Sequence, residues 1–112
     1  MPPKESVDSE LPLACRLSTS ELGARSAQLR EEVFAAVDMQ REIEDGYAFR
    51  FPGTADWFLR LADFVVTERE CCPFFRFNLA VEADSGPVWL TLTGPAGTKR
   101  FITETFLPEP GA

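Results

Sequence analysis

The sequence predicts an α+β domain: a mainly antiparallel sheet of about five strands with helices on one face, in the order β-α-β-β-α-β-β-α. Three observations lead there. Short stretches alternate apolar and polar residues, the period of a half-buried strand. Two pairs of such stretches are joined by tight-turn residues, which makes their strands antiparallel neighbours. Longer stretches between them repeat apolar residues at helical spacing, so each helix has one stripe to bury against the sheet.

Taken in order, residues Met1 to Glu10 are rich in proline and charge and are expected to be a disordered leader. Leu11, Leu13, Cys15 and Leu17 alternate with Pro12, Ala14 and Arg16, a first strand with Cys15 on the leucine face. Ser18-Thr19-Ser20-Glu21 matches a capping box, with Ser18 as N-cap. The helix it opens is expected to reach about Val37, with Leu22, Leu29, Val33 and Ala36 or Val37 inward. Arg25, Gln28, Arg30, Glu31 and Glu32 would form its wet face. Met39 to Phe51 reads as a hairpin turning at Asp45-Gly46, with Tyr47, Phe49 and Phe51 on one aromatic face.

Thr54 is placed to cap the second helix, with Asp56 in its first turn. Trp57, Leu61, Phe64, Val65 and Glu68 share one face, which Phe58 and Ala62 widen. The residue before a proline avoids the helical region, so Cys72 before Pro73 ends this helix at about Cys71. Phe75, Phe77, Leu79 and Val81 then alternate with Arg76, Asn78, Ala80 and Glu82. After a turn at Asp84-Ser85-Gly86, Val88, Leu90 and Leu92 alternate with Trp89, Thr91 and Thr93. The outer face of the sheet would carry Arg50, Arg76, Asn78 and Trp89. Gly94-Pro95-Ala96-Gly97 opens a last short helix with Phe101, Ile102 and Phe106 inward. Residues 11–107 make a single domain, and 108–112 a tail.

Composition narrows the function. The 112 residues suit one core, and the net charge of −7 argues against nucleic acid as a partner. There is no histidine, which removes the usual general base and the commonest metal ligand. No apolar run approaches the ~20 residues of a membrane span, and the N-terminus lacks a signal-peptide apolar segment. The chain is therefore placed in the cytoplasm. Three cysteines is an odd number, and a reducing compartment would keep them as thiols rather than as a disulfide framework. The aromatic content exceeds what one small core absorbs, which leads us to expect a homodimer.

The chemistry-bearing stretch is the corner from Thr67 to Phe77, where helix gives way to strand. Residues three and four apart share a helix face, so Glu68 neighbours both Cys71 and Cys72. A carboxylate on that apolar face needs a partner, for which Arg16, Arg50 and Arg76 are candidates. Vicinal cysteines suit zinc poorly, since its sites use C-x₂₋₄-C spacing. Softer ions such as Hg(II), Cu(I) or trivalent arsenic favour thiolate and tolerate low coordination. Cys71 and Cys72 are then candidate ligands, Cys15 a third, and Glu68 an auxiliary one.

The plainer alternatives stand beside this. Free cysteine behaves as a small buried hydrophobe, and Glu68 fits a buried salt bridge equally well. A helix C-terminus also carries negative potential, which disfavours a thiolate. Gly94 to Arg100 offers free N–H groups and two cations to an anion, but lacks the Walker spacing and reads as a turn with solvated charges.

Asp45-Gly46-Tyr47-Ala48-Phe49-Arg50-Phe51, Glu68-Arg69-Glu70-Cys71-Cys72-Pro73-Phe74 and Gly86-Pro87-Val88-Trp89-Leu90 with Gly94-Pro95-Ala96-Gly97 resemble a group of small uncharacterised bacterial proteins. These are marked by an ER-x-CCPF corner. The resemblance runs from about Cys15 to Phe101 and implies a heavy-metal-resistance setting, with a thiol-metal role for Cys71, Cys72 and Glu68. The expected function is thus a small thiol protein that binds a soft metal ion. The alternatives are a non-catalytic homodimeric interaction module with buried cysteines, and a thiol enzyme using Glu68 as acid/base. The enzyme ranks lower because no histidine is present to activate a thiol.

Overall fold

The computed structural model describes residues 19–107. The leader, the strand expected over Leu11 to Leu17, the Ser18 cap and the tail lie outside them. The described elements run α1 (Thr19–Glu32), a 3₁₀ turn (Phe34–Ala36), β1 (Met39–Ile43), β2 (Gly46–Phe51), α2 (Ala55–Cys71), β3 (Arg76–Val81), β4 (Val88–Thr93) and α3 (Thr98–Thr105). The class is α+β, with four strands and three α-helices among the described residues.

Strand order in the sheet is β1-β2-β4-β3, and each neighbouring pair is antiparallel. The register sorts side chains cleanly. Phe49, Leu90 and Leu79 stand in one row, and Tyr47, Leu92 and Phe77 in the next. All six belong to the core or pack against it, together with Leu29, Phe34, Leu61, Phe64, Ile102 and Phe106 from the helical layer. The opposite face holds the rows Met39–Arg50–Trp89–Ala80, Arg41–Ala48–Thr91–Asn78 and Ile43–Gly46–Thr93–Arg76. Of these only Ala48 is a buried apolar residue, and none packs into the aromatic cluster of the core.

Two local details depart from expectation. The first hairpin turns at Glu44-Asp45, one residue earlier than expected, and Gly46 already pairs with Thr93. Gly46 serves close approach there, because a Cβ would collide with the Leu92 carbonyl oxygen. Helix α1 also stops at Glu32 instead of reaching Val37. The tighter 3₁₀ turn that follows shifts the side-chain direction, so that adjacent Val33 and Phe34 are both buried. Phe34 becomes a hub, with ring centroids 5.2 Å from Phe49, 5.6 Å from Phe64 and 4.9 Å from Phe106.

Candidate functional site at the end of helix α2

Helix α2 positions the corner. Thr54 caps it as expected, its hydroxyl accepting from the Trp57 N–H at 3.1 Å. Leu61, Phe64 and Glu68 form the buried stripe. At the other end the Cys72 N–H donates to the Glu68 carbonyl at 2.7 Å, closing the last turn. Cys72 itself, at φ −126° and ψ 78°, has left the helical region, as its position before Pro73 requires.

Beyond the corner the chain is sealed by rings. Phe74 and Phe75 are buried and pack at 5.1 Å and 5.8 Å on Phe101, and Phe75 lies 6.0 Å from Phe106.

The two adjacent sulfurs have different fates. Cys71 is a free, half-buried thiol. Cys72 has no solvent exposure and is disulfide-bonded. The expectation that the chain keeps only thiols is therefore corrected at Cys72. Cysteine parity and compartment do not determine which sulfurs the fold brings into reach. Cys15, the third candidate ligand, lies outside the described residues. Among the described residues, no group of three or more Cys, Asp or Glu is arranged to hold a metal ion.

Glu68 is buried, with 3% of its side chain exposed, and its Oε2 accepts from Arg25 Nε at 2.9 Å. This corrects the expected partners. Arg50 instead pairs with Asp38 at 2.7 Å, and Arg76 is exposed on the far face of the sheet. Helical spacing puts Arg25 on the wet side of α1, but the half-buried side chain turns inward to reach α2, 43 residues away. Only the depth of the Glu68 carboxyl, an unpaired charge on an apolar stripe, signals that some cation has to approach. Burial raises the Glu68 pKa above its ordinary value of 4.5, and the charge and hydrogen bond of Arg25 offset this only in part.

A cleft of about 460 Å³ opens at the turn before α3, lined by Glu44, Asp45 and residues 94–100. Its cations are already engaged: Lys99 Nζ lies 2.8 Å from Glu42 and Arg100 Nε 2.9 Å from Glu104. With two carboxylates in the lining, it is poorly suited to an anion, in keeping with its reading as a turn. On the open sheet face, the Arg41 guanidinium lies 5.2 Å over the Trp89 ring.

No helix among the described residues is long and apolar enough to cross a membrane. Comparison with protein-family models, with curated proteins and with solved structures returned no match.

Proposed function

We propose that the corner is a redox-gated thiol site, whose reduced form binds a soft metal ion through Cys71 and Cys72. The observation that carries this reading is a free, half-buried Cys71 thiol directly beside a buried, disulfide-bonded Cys72. The chain holds three cysteines, so we assign Cys15 as the partner of Cys72. In the oxidised state Cys72 cannot offer a thiolate. A dithiol reductant breaks the S–S bond by delivering two electrons and two protons, becoming a disulfide itself and leaving Cys15 and Cys72 as thiols. A soft cation then takes Cys71 and Cys72 as thiolates and releases their two protons to solvent. Glu68, one turn earlier on the same helix, is the auxiliary group, held in place by Arg25. A disulfide in a chain expected in the cytoplasm is of the transient, regulatory kind, which suits a gate better than a staple.

The test is a titration of reduced and oxidised protein with Hg(II), with Cu(I) in parallel. Tight binding is expected in the reduced form only, and is expected to be lost in Cys71→Ser/Cys72→Ser. Cys71→Ser alone keeps the disulfide and serves as the folded control, also without tight binding. Equal binding by the oxidised form, or unchanged binding in the double variant, rejects the reading. Mass spectrometry of a non-reduced digest checks the Cys15–Cys72 pairing independently.

A second reading, a non-catalytic interaction module, is favoured by a different observation: one whole face of the sheet is left uncovered by the described helices.

A further inference from the structure

We propose that the open face of the sheet docks a compact acidic patch on a protein partner. The proposal rests on the interaction-module reading and is independent of the thiol corner.

The antiparallel register puts Arg41, Arg50 and Arg76 on this face and places no carboxylate among its strand positions. That is a strong segregation in a chain with 18 acidic and 11 basic residues. Arg50 is steadied by Asp38 at 2.7 Å, which sits just before β1. Arg76 is exposed and makes no ion pair among the described residues. Gly46 and Ala48 form a low floor at the centre of the face. Trp89 stands beside it under Arg41, and Met39, 41% exposed, lies two strands over in the same row. Tryptophan, methionine and arginine are the side chains enriched where proteins dock, and a desolvated aromatic anchor ringed by arginines is the usual energetic centre.

Charge selects the occupant. A second copy stacked by two-fold symmetry would oppose the same three arginines. A nucleic-acid strand would find one aromatic ring, already covered by Arg41, where base stacking needs free ring faces. The face measures only about 15–20 Å each way, so a long polyphosphate would run onto the acidic remainder of the molecule. A carboxylate patch of similar size stays within the roughly 8 Å over which the arginine field acts at physiological salt.

The experiment uses the full chain with Trp57→Phe, which leaves Trp89 as the only tryptophan. Its fluorescence is followed while adding a short Glu/Asp-rich peptide containing one leucine, a Lys-rich peptide of equal length, or a short oligothymidylate. The acidic peptide is expected to bind, to weaken roughly tenfold or more between low and high salt, and to lose binding in Arg41→Glu/Arg76→Glu. Both positions are exposed, so an unchanged melting temperature confirms that the reversal variant is folded.

Absence of acidic-peptide binding overturns the proposal, as does binding that survives the charge reversal. Tighter binding of oligothymidylate assigns the face to nucleic acid instead. A concentration-dependent dimer abolished by Trp89→Ala assigns it to a second copy. A Trp89 shielded from acrylamide in the free monomer assigns it to the chain's own residues outside 19–107. In the second-copy outcome the partner chemistry fails while the face remains an interface, which separates this proposal from the module reading beneath it; a shielded Trp89 overturns both.

Discussion

On the helix-covered face of the sheet, Phe49, Leu90 and Leu92 have no solvent exposure. On the other face the same two strands carry Arg50, Trp89 and Thr91, each partly exposed. Both sets are held by identical backbone ladders, so the contrast isolates what the side chains contribute. The packed face holds the molecule together, and the open face is left uncovered by the described helices. The largest expected effect tests this division. Leu90→Ala removes a fully buried side chain and should cost about 2–5 kcal/mol, whereas neighbouring Thr91→Ala should stay within about 0.5 kcal/mol. Urea unfolding of the two variants gives the comparison directly. A Thr91→Ala loss as large as that of Leu90→Ala would mean that the open face is covered in the folded protein.

The packed layer admits one buried charge among its described residues, Glu68, and Arg25 is its counter-ion. Arg25→Ala strands that carboxyl and should destabilise by about 1–3 kcal/mol at neutral pH. The pH dependence carries a definite sign. Because the folded-state pKa of Glu68 is raised above 4.5, the folded chain holds the proton more tightly than the unfolded one. Its contribution to stability is therefore fully present below pH 4.5 and is lost as pH rises through the folded value. Removing Arg25 takes away the two influences that lower this pKa, so the penalty of the variant should grow with rising pH and nearly vanish in acid. Stability curves for wild type and Arg25→Ala that stay parallel from acid to neutral pH would show that the ion pair is not the source of the difference.

These two effects also mark what is legible in the chain alone. The aromatic face of β2, the Thr54 cap and the stop at Pro73 depend on period and on immediate neighbours, so the sequence displays them. Phe34 escapes such a reading because its burial depends on where α1 ends, and the 3₁₀ turn there buries it beside Val33. The Arg25–Glu68 pair escapes it because helical periodicity sorts residues by side, not by which distant element covers them. At the corner, the sulfur spacing and the buried carboxylate are visible in the chain. The division of labour between Cys71 and Cys72 is not, because it depends on which sulfur the fold turns inward.

The smallest expected effect concerns how the two faces are kept apart at all. A slip of one residue of β3 against β4 would carry Phe77 and Leu79 to the open face and bring Arg76 and Asn78 toward the core. The turn joining them is not what prevents it. Asp84 and Ser85 both sit at positive φ, 60° and 58°, in the pattern of a type I′ turn; aspartate is among the residues that adopt this conformation readily, and serine is not. Ser85 bears a left-handed cost of roughly 1–2 kcal/mol that the rest of the hairpin must overcome. The register is therefore imposed by burial of Leu79, Leu90 and Phe77 against the helices, and the turn is bent to fit. Ser85→Gly should relieve that cost and raise stability by about 0.5–1 kcal/mol, once the greater freedom of glycine in the unfolded chain is subtracted. It should leave the cross-strand contacts Phe77–Leu92 and Leu79–Leu90 unchanged in nuclear Overhauser spectra. If the substitution instead shifts those contacts by one residue, the turn had been selecting the register, and the separation of a packed face from an open one would originate in the loop.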